Sequence, residues 1–78
     1  MERNQLLEQV NAIFIDTLDD ETIKISEATQ ASDIPEWDSL THIQLVVAIE
    51  KHFSIRFNSK EIQSWKNVGE MIDCIQTK

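Results

Sequence analysis

Residues 37–53 read WDSLTHIQLVVAIEKHF, and the fold can be worked out from this stretch outward. An acid and a serine, Asp38 and Ser39, stand directly before an apolar run of helical period. A helix is therefore predicted from about Ser39 to about Phe53. The first turn of a helix has N–H groups without intrahelical partners and carries the positive end of the macrodipole. A phosphate esterified to Ser39 would lie in a favourable field there.

This helix has two apolar faces. The larger is an ordinary core-facing stripe formed by His42, Leu45, Val46, Ile49 and Phe53. The second begins beside Ser39 and consists of Leu40, Ile43 and Val47, with Glu50 next to them. One buried face does not account for this second stripe. Either helices pack on both sides, or the stripe is a surface on which a partner protein docks, and we favour docking.

The flanking segments predict three more helices. Apolar residues at spacings of three and four predict a first helix over about residues 3–18. Two Asn-x-x-Glu patterns, Asn58 with Glu61 and Asn67 with Glu70, resemble capping boxes. They would start a short helix over residues 59–64 and a last helix over residues 68–77.

The connection over residues 19–38 has no sustained periodicity, and Pro35 argues against a helix through Ile34. Connections of this length inside compact domains are uncommon, so we expect Ile23, Ile25 and Ile34 to pin it. The predicted fold is all-α: a small antiparallel bundle of three main helices and one short helix, forming a single domain over residues 1–78. Its predicted core contains Ile13, Phe14, Leu45, Ile49, Phe53 and Ile72.

Composition excludes several classes of function. The net charge is −7, and residues 1–38 hold ten acids but only two bases, which disfavours nucleic-acid binding. The single cysteine, Cys74, has no partner for an intramolecular disulfide, which fits a reducing compartment. It falls among apolar positions and is interpreted as a buried structural thiol. Metal-ligand clusters and long apolar runs are missing, so we expect no metal site, no membrane span and a cytoplasmic monomer.

Catalysis by Ser39 is also disfavoured. A serine hydrolase needs a base, an orienting acid and an oxyanion hole. His42 could approach Ser39 along the helix, but it falls on the core-facing side, and 78 residues leave no room for an acyl-enzyme pocket. Trp37 and Trp65 are interpreted as residues that anchor loops to the core. The chain is therefore not expected to be an enzyme.

Four sequence features occur together: Asp38-Ser39-Leu40, the helix ending in AIEKHF at residues 48–53, Phe53-x-Ile55-x-Phe57, and Val68-Gly69-Glu70-Met71. With these features the chain resembles the acyl and peptidyl carrier protein family over essentially its whole length. The resemblance implies that Ser39 carries 4′-phosphopantetheine, transferred from coenzyme A by a Mg²⁺-dependent phosphopantetheinyl transferase. It also implies that Asp38 is the acid preceding the attachment serine.

By the same resemblance, Leu40, Ile43, Val47 and Glu50 match the partner-recognition helix, which would meet an acyl- or aminoacyl-loading ligase and downstream biosynthetic enzymes. The implied function is to tether acyl or aminoacyl intermediates as thioesters. The alternative is a helical adaptor of the same fold that is never modified and binds its partner non-covalently.

The recognition helix departs from that of fatty-acid-synthesis carriers, which is markedly acidic. Between Ser39 and Phe53 this chain has one acid, Glu50. Glu36 stands where the family often has glycine. The tetrapeptide over residues 37–40 is similar to that of free-standing carriers of specialised pathways, D-alanyl carrier proteins among them. The departures argue against assigning the chain to primary fatty acid synthesis, and the expected pathway is fatty acid or specialised metabolite biosynthesis.

Overall fold

The computed structural model describes residues 2–78, which form four α-helices. These are α1 (Arg3–Leu18), α2 (Ser39–Phe53), the short α3 (Ser59–Ser64) and α4 (Val68–Gln76). A single 3₁₀ turn, Ala31–Asp33, interrupts the long connection between α1 and α2. No strand occurs within this range. The all-α prediction is confirmed, and the last helix ends one residue earlier than predicted.

One apolar cluster forms the core, and it lies where α1 packs against α2 and α4. Five of the six predicted core residues are buried in it: Ile13, Phe14, Leu45, Ile49 and Ile72. The sixth, Phe53, is only half-buried and packs at the edge of the cluster. It is the last residue of α2, and the chain turns away at Ser54, whose φ of 56° is left-handed. The helical period placed Phe53 on the correct face but could not show that the core ends before it.

The long connection is pinned as predicted. Ile23, Ile25 and Ile34 are all buried in the core cluster. A polar contact adds to them: the Asn11 side-chain oxygen on α1 accepts a hydrogen bond of 2.8 Å from the Ile25 backbone N–H. Because buried backbone groups need partners, the bond to Asn11 lets an irregular segment lie against a helix.

The start of α4 also holds the connection, and it requires a glycine. The Gly69 backbone N–H donates to the Glu27 carbonyl at 2.8 Å, and the Val68 N–H donates to the Thr29 carbonyl at 2.9 Å. A Cβ atom on Gly69 would lie 2.9 Å from the Glu27 carbonyl oxygen, closer than real Cβ contacts. The only glycine of the chain therefore permits a close approach between two backbones.

The two predicted capping boxes differ in outcome. The box at α3 is complete: Asn58 and Glu61 each accept a hydrogen bond from the other's backbone N–H. At α4, Asn67 caps the Glu70 N–H at 2.9 Å, but the Glu70 carboxylate accepts from the Lys66 N–H at 3.3 Å instead of from Asn67. The prediction of a reciprocal box at α4 was wrong, because the glutamate reaches one residue further back.

Glu61 also joins α3 to the end of the chain. Its carboxylate accepts hydrogen bonds from the Lys78 ammonium at 2.8 Å and from the Cys74 thiol at 3.2 Å. The bond with Lys78 is the main reason that the pKa of Glu61 is lowered from 4.5 to about 2. Cys74 is half-buried rather than buried as predicted, and desolvation is the main cause that raises the pKa of its thiol.

Acid should weaken this contact in a defined pH window. Because the Glu61 pKa is lowered on folding, its contribution to stability is present above about pH 4.5 and is lost as the pH falls towards about 2. The difference in melting temperature between wild type and Glu61→Gln should therefore be largest near pH 7 and shrink by pH 2.5. Lys78→Gln should lower the melting temperature in the same window. A difference that stays constant with pH would contradict the assignment.

Candidate functional site: the start of α2

Ser39 is the first residue of α2, and it is exposed. The residue before it, Asp38, is the N-cap: its Oδ1 accepts hydrogen bonds from the Leu40 N–H at 3.0 Å and the Thr41 N–H at 2.9 Å. The bond from the Thr41 N–H is the main cause that lowers the pKa of the Asp38 carboxyl. Asp38 is therefore a stably ionised carboxylate next to the serine hydroxyl.

Thr41 completes this helix start. Its hydroxyl accepts from the Asp38 backbone N–H at 2.8 Å and donates to the Glu36 carbonyl at 2.8 Å. Asp38 and Thr41 thus form a reciprocal capping box, with threonine at the position that glutamate usually takes. The sequence pattern alone did not predict this role for Thr41. An acid followed three residues later by a hydroxyl residue, directly before an apolar run, is the signal that could have identified it.

The cap changes the electrostatics that were expected at Ser39. A phosphate on Ser39 was predicted to use unpaired N–H groups of the first turn. Two of those groups, on Leu40 and Thr41, are already bonded to the Asp38 carboxylate. A phosphate on Ser39 would therefore have fewer open donors than predicted and the Asp38 carboxylate as its neighbour, and the favourable field of the helix end stays a prediction.

The second apolar stripe of α2 is exposed. Leu40, Ile43 and Val47 have exposed fractions of 68%, 55% and 42%, whereas Leu45 and Ile49 on the opposite side are fully buried. The alternative in which neighbouring helices cover both faces is therefore wrong. Three apolar side chains on one exposed face beside Ser39 form what we call the outward stripe. Its role in docking stays a prediction.

Glu50, the fourth residue predicted to contact partners, has a structural bond. It is half-buried, and its carboxylate accepts a hydrogen bond of 2.8 Å from the Phe57 backbone N–H. This bond ties the last turn of α2 to the segment that leads into α3. The sequence pattern had placed Glu50 beside the outward stripe and did not indicate this contact.

An open groove of about 540 Å³ lies between α2 and α3, with Ser39 on its rim. Trp37, His42 and Trp65 contribute its aromatic wall, and Ile43 and Ile62 contribute its aliphatic side chains. His42 was expected to face the core, but it is half-buried and lines this groove. Both ring nitrogens are engaged: Nδ1 accepts from the Trp37 indole N–H at 3.0 Å, and Nε2 lies 3.3 Å from the Ile62 carbonyl oxygen.

These contacts argue against the hydrolase alternative, because an imidazole bonded on both sides is not placed to take a proton from Ser39. Trp37 is buried and packs edge-on against Phe14 at 5.0 Å between ring centroids, which agrees with its predicted anchoring role. Across residues 2–78, no cluster of three histidine, cysteine or acidic side chains could hold a metal ion. None of the helices described is long and apolar enough to cross a membrane.

Comparison with known proteins agrees with this geometry. Residues 8–75 match the family described as "Phosphopantetheine attachment site". The chain belongs to this family. Acyl carrier protein from Thermosynechococcus vestitus is 33% identical over 79 residues, covering 100% of this chain and 96% of the relative. Acyl carrier protein from Coprothermobacter proteolyticus is 29% identical, covering 99% of this chain and 94% of the relative.

The fold matches the same family. A solution structure of holo acyl carrier protein from Geobacter metallireducens superposes with a TM-score of 0.87 at 40% sequence identity. The match covers 92% of this chain and 83% of that one. The chain is thus a phosphopantetheine-binding carrier of the acyl carrier protein type. The unmodified-adaptor alternative is not favoured.

Proposed function

We propose that Ser39 is the residue that carries 4′-phosphopantetheine and that the chain presents acyl groups to the enzymes of a biosynthetic pathway. The observation that carries the proposal is the position of Ser39: an exposed hydroxyl at the first residue of α2, directly after Asp38 and on the rim of an open groove. The residues present fit the group, because a transferase can reach this hydroxyl without unfolding any element.

The arm and the protein have separate tasks in this proposal. The arm would supply a terminal thiol that holds an acyl group as a thioester, which a serine hydroxyl cannot do well. The protein would tether the arm and so raise the effective concentration of its cargo for each docked enzyme. Asp38 would hold the start of α2, from which the arm would extend. A carrier of this kind does no catalysis itself.

We further propose that a phosphopantetheinyl transferase and an acyl- or aminoacyl-loading ligase dock on the outward stripe, Leu40, Ile43 and Val47. An enzyme that handles a group on Ser39 must approach this end of α2, where the three side chains are exposed. Glu50 would contribute only through the part of its carboxylate not bonded to Phe57. With one acid between Ser39 and Phe53, contact area should matter more than charge.

Val47→Asp tests the outward stripe. Because Val47 is exposed, the free energy of unfolding should change by no more than about 0.5 kcal/mol, while the rate of arm transfer to Ser39 should fall. Melting temperature and transfer rate are measured on the same variant. Ala12→Asp, which adds the same charge to an exposed position on α1, should transfer at the wild-type rate.

Two results would contradict this docking surface. If Val47→Asp unfolds the domain, the stripe contributes to the core; if it folds and transfers normally, the interface lies elsewhere. Ionic strength gives an independent test, since a contact dominated by apolar area loses little on-rate as salt increases. A steep loss would indicate the acidic segment over residues 16–38 as the steering surface instead.

The carrier role itself is tested by intact mass. The protein is incubated with coenzyme A, Mg²⁺ and a promiscuous phosphopantetheinyl transferase, and the mass should rise by one phosphopantetheine group. No mass change under conditions that modify a known carrier would favour the unmodified adaptor. The names of the relatives support acyl over aminoacyl cargo. Mass spectrometry of the protein isolated from its native host would identify the cargo.

The domain organisation and the location of the protein are also proposed. Residues 1–78 would be one carrier domain, acting as a cytoplasmic monomer that does not bind nucleic acid and does not span a membrane. The single apolar core supports one carrier domain. The single cysteine, held as a protonated thiol beside Glu61, suits a reducing compartment.

A further inference from the structure

His42 is the centre of a small network that joins three segments of the chain. It lies on α2, accepts a hydrogen bond from Trp37 in the segment before Ser39, and contacts the Ile62 carbonyl of α3. Its ring also lies 5.9 Å from the Trp65 ring, at 74°, on the segment after α3. These are the walls of the groove beside Ser39.

The network requires one tautomer of a neutral imidazole. The Trp37 indole N–H can only donate, so His42 Nδ1 must accept and carry no proton. Neutral imidazole then has its hydrogen on Nε2, which donates to the Ile62 carbonyl. The two rings meet edge to edge: their planes differ by 23°, with centroids 5.9 Å apart and a 3.0 Å bond between the nitrogens. A proton on Nδ1 would place two N–H groups against each other.

We propose that His42 is a positioning residue that clamps α3 and the Trp37 segment onto α2, and that its contact with Trp37 opens when the imidazole is protonated. Histidine is the side chain that ordinarily changes charge between pH 5 and 8. Protonation removes the acceptor for the Trp37 indole while the bond to Ile62 remains available. The Trp37 indole N–H loses its acceptor, and the Trp37 side of the groove is then held only by packing such as that on Phe14.

Charged groups of both signs lie around His42. Asp38 and Lys66, of opposite sign, both line its groove. Glu36 precedes Trp37, and its carboxyl shares a hydrogen bond with Asp20 that raises the pKa of Glu36. On α3, the Glu61 carboxylate is bonded to Lys78 and Cys74. α1 reaches the network through Phe14, which is apolar and packs on the Trp37 ring.

The functional consequence rests on the proposed attachment at Ser39. Ser39 is one of the residues that line the groove, so the groove walls would be within reach of a group tethered there. Neutral His42 would hold the groove walls in place. Acidification would loosen the Trp37 side of the groove and leave α2 and its cap unchanged.

The test is an NMR titration of the unmodified protein from pH 8 to pH 5, following the indole N–H signals of the two tryptophans and the ring protons of the two histidines. The Trp37 indole signal should move from a hydrogen-bonded to a free position with the same midpoint as the His42 ring. The second histidine is removed in His52→Gln, which should behave as wild type.

His42→Gln is the matched variant. A glutamine side chain can accept from the Trp37 indole and donate to the Ile62 carbonyl, but it does not titrate. In this variant the Trp37 signal should stay bonded from pH 8 to pH 5. The proposal is overturned if the Trp37 signal remains bonded through the His42 titration in wild type, or if it moves equally in His42→Gln.

If His42→Gln does not fold, the NMR titration of His52→Gln still tests the proposal. In that variant the Trp37 indole signal and the His42 ring protons should change with the same midpoint. The titration uses protein without the arm, so its result is independent of whether Ser39 is modified. Intact mass after transfer reports on modification separately. Failure of the clamp and failure of the proposed carrier function are therefore distinguishable.

Discussion

Ser39→Ala is expected to abolish attachment of phosphopantetheine completely while leaving the fold intact. The hydroxyl is exposed and does not cap α2, a role that Asp38 performs, so its removal breaks no contact of the helix start. Alanine is also a good helix former at this position. Intact mass after incubation with coenzyme A, Mg²⁺ and transferase should show no modified species, and the melting temperature should match that of wild type.

Ser59→Ala is the matched control for this experiment. Ser59 is also exposed, also begins a helix and lines the same groove. The residue before Ser59 is Asn58 instead of an aspartate. Ser59 should therefore accept no arm, and its alanine variant should be modified to the wild-type extent. Attachment that persists in Ser39→Ala, or that maps to Ser59 by peptide mass spectrometry, would overturn the assignment of the site.

Ile49→Ala should have the largest effect on stability. Ile49 is completely buried in the cluster where α1 packs against α2 and α4. Removing its side-chain carbons loses their transfer free energy and leaves a cavity, and such substitutions cost about 2–5 kcal/mol. A domain of this size has few kilocalories per mole to lose. Denaturant titration should show a clearly lowered midpoint and, at the upper end of the range, partial unfolding in water.

The control is Ile43→Ala on the same helix. Ile43 belongs to the outward stripe and is 55% exposed, so its truncation should change the free energy of unfolding by at most about 0.5 kcal/mol. Together, the two isoleucine variants test which face of α2 is buried. A change below about 0.5 kcal/mol in Ile49→Ala would mean that the assignment of the core face is wrong.

Much of the fold could be predicted from local pattern. Buried and exposed positions of α2 follow helical period, which is why Ile49 and Val47 were placed on the correct faces without a structure. The cap at Asn58 was predicted because its bonds span only three residues. Phe53 was misplaced for a related reason: period indicates the face of a helix but not where along its axis the core ends.

The candidate site, too, was predicted only in part from local sequence pattern. Local pattern was enough to predict the helix start at Ser39, the acid before it and the apolar stripe beside it. Spacing along a helix sets which side chains share a face. Contacts between distant segments were decided only by the tertiary structure. Glu50 meets the Phe57 N–H, Gly69 meets the Glu27 carbonyl, and His42 meets the Ile62 carbonyl across a groove. Such pairs form only when the helices pack together. The helical period shows which side chains share a face, but it does not show which backbone groups on other segments will need a hydrogen-bond partner.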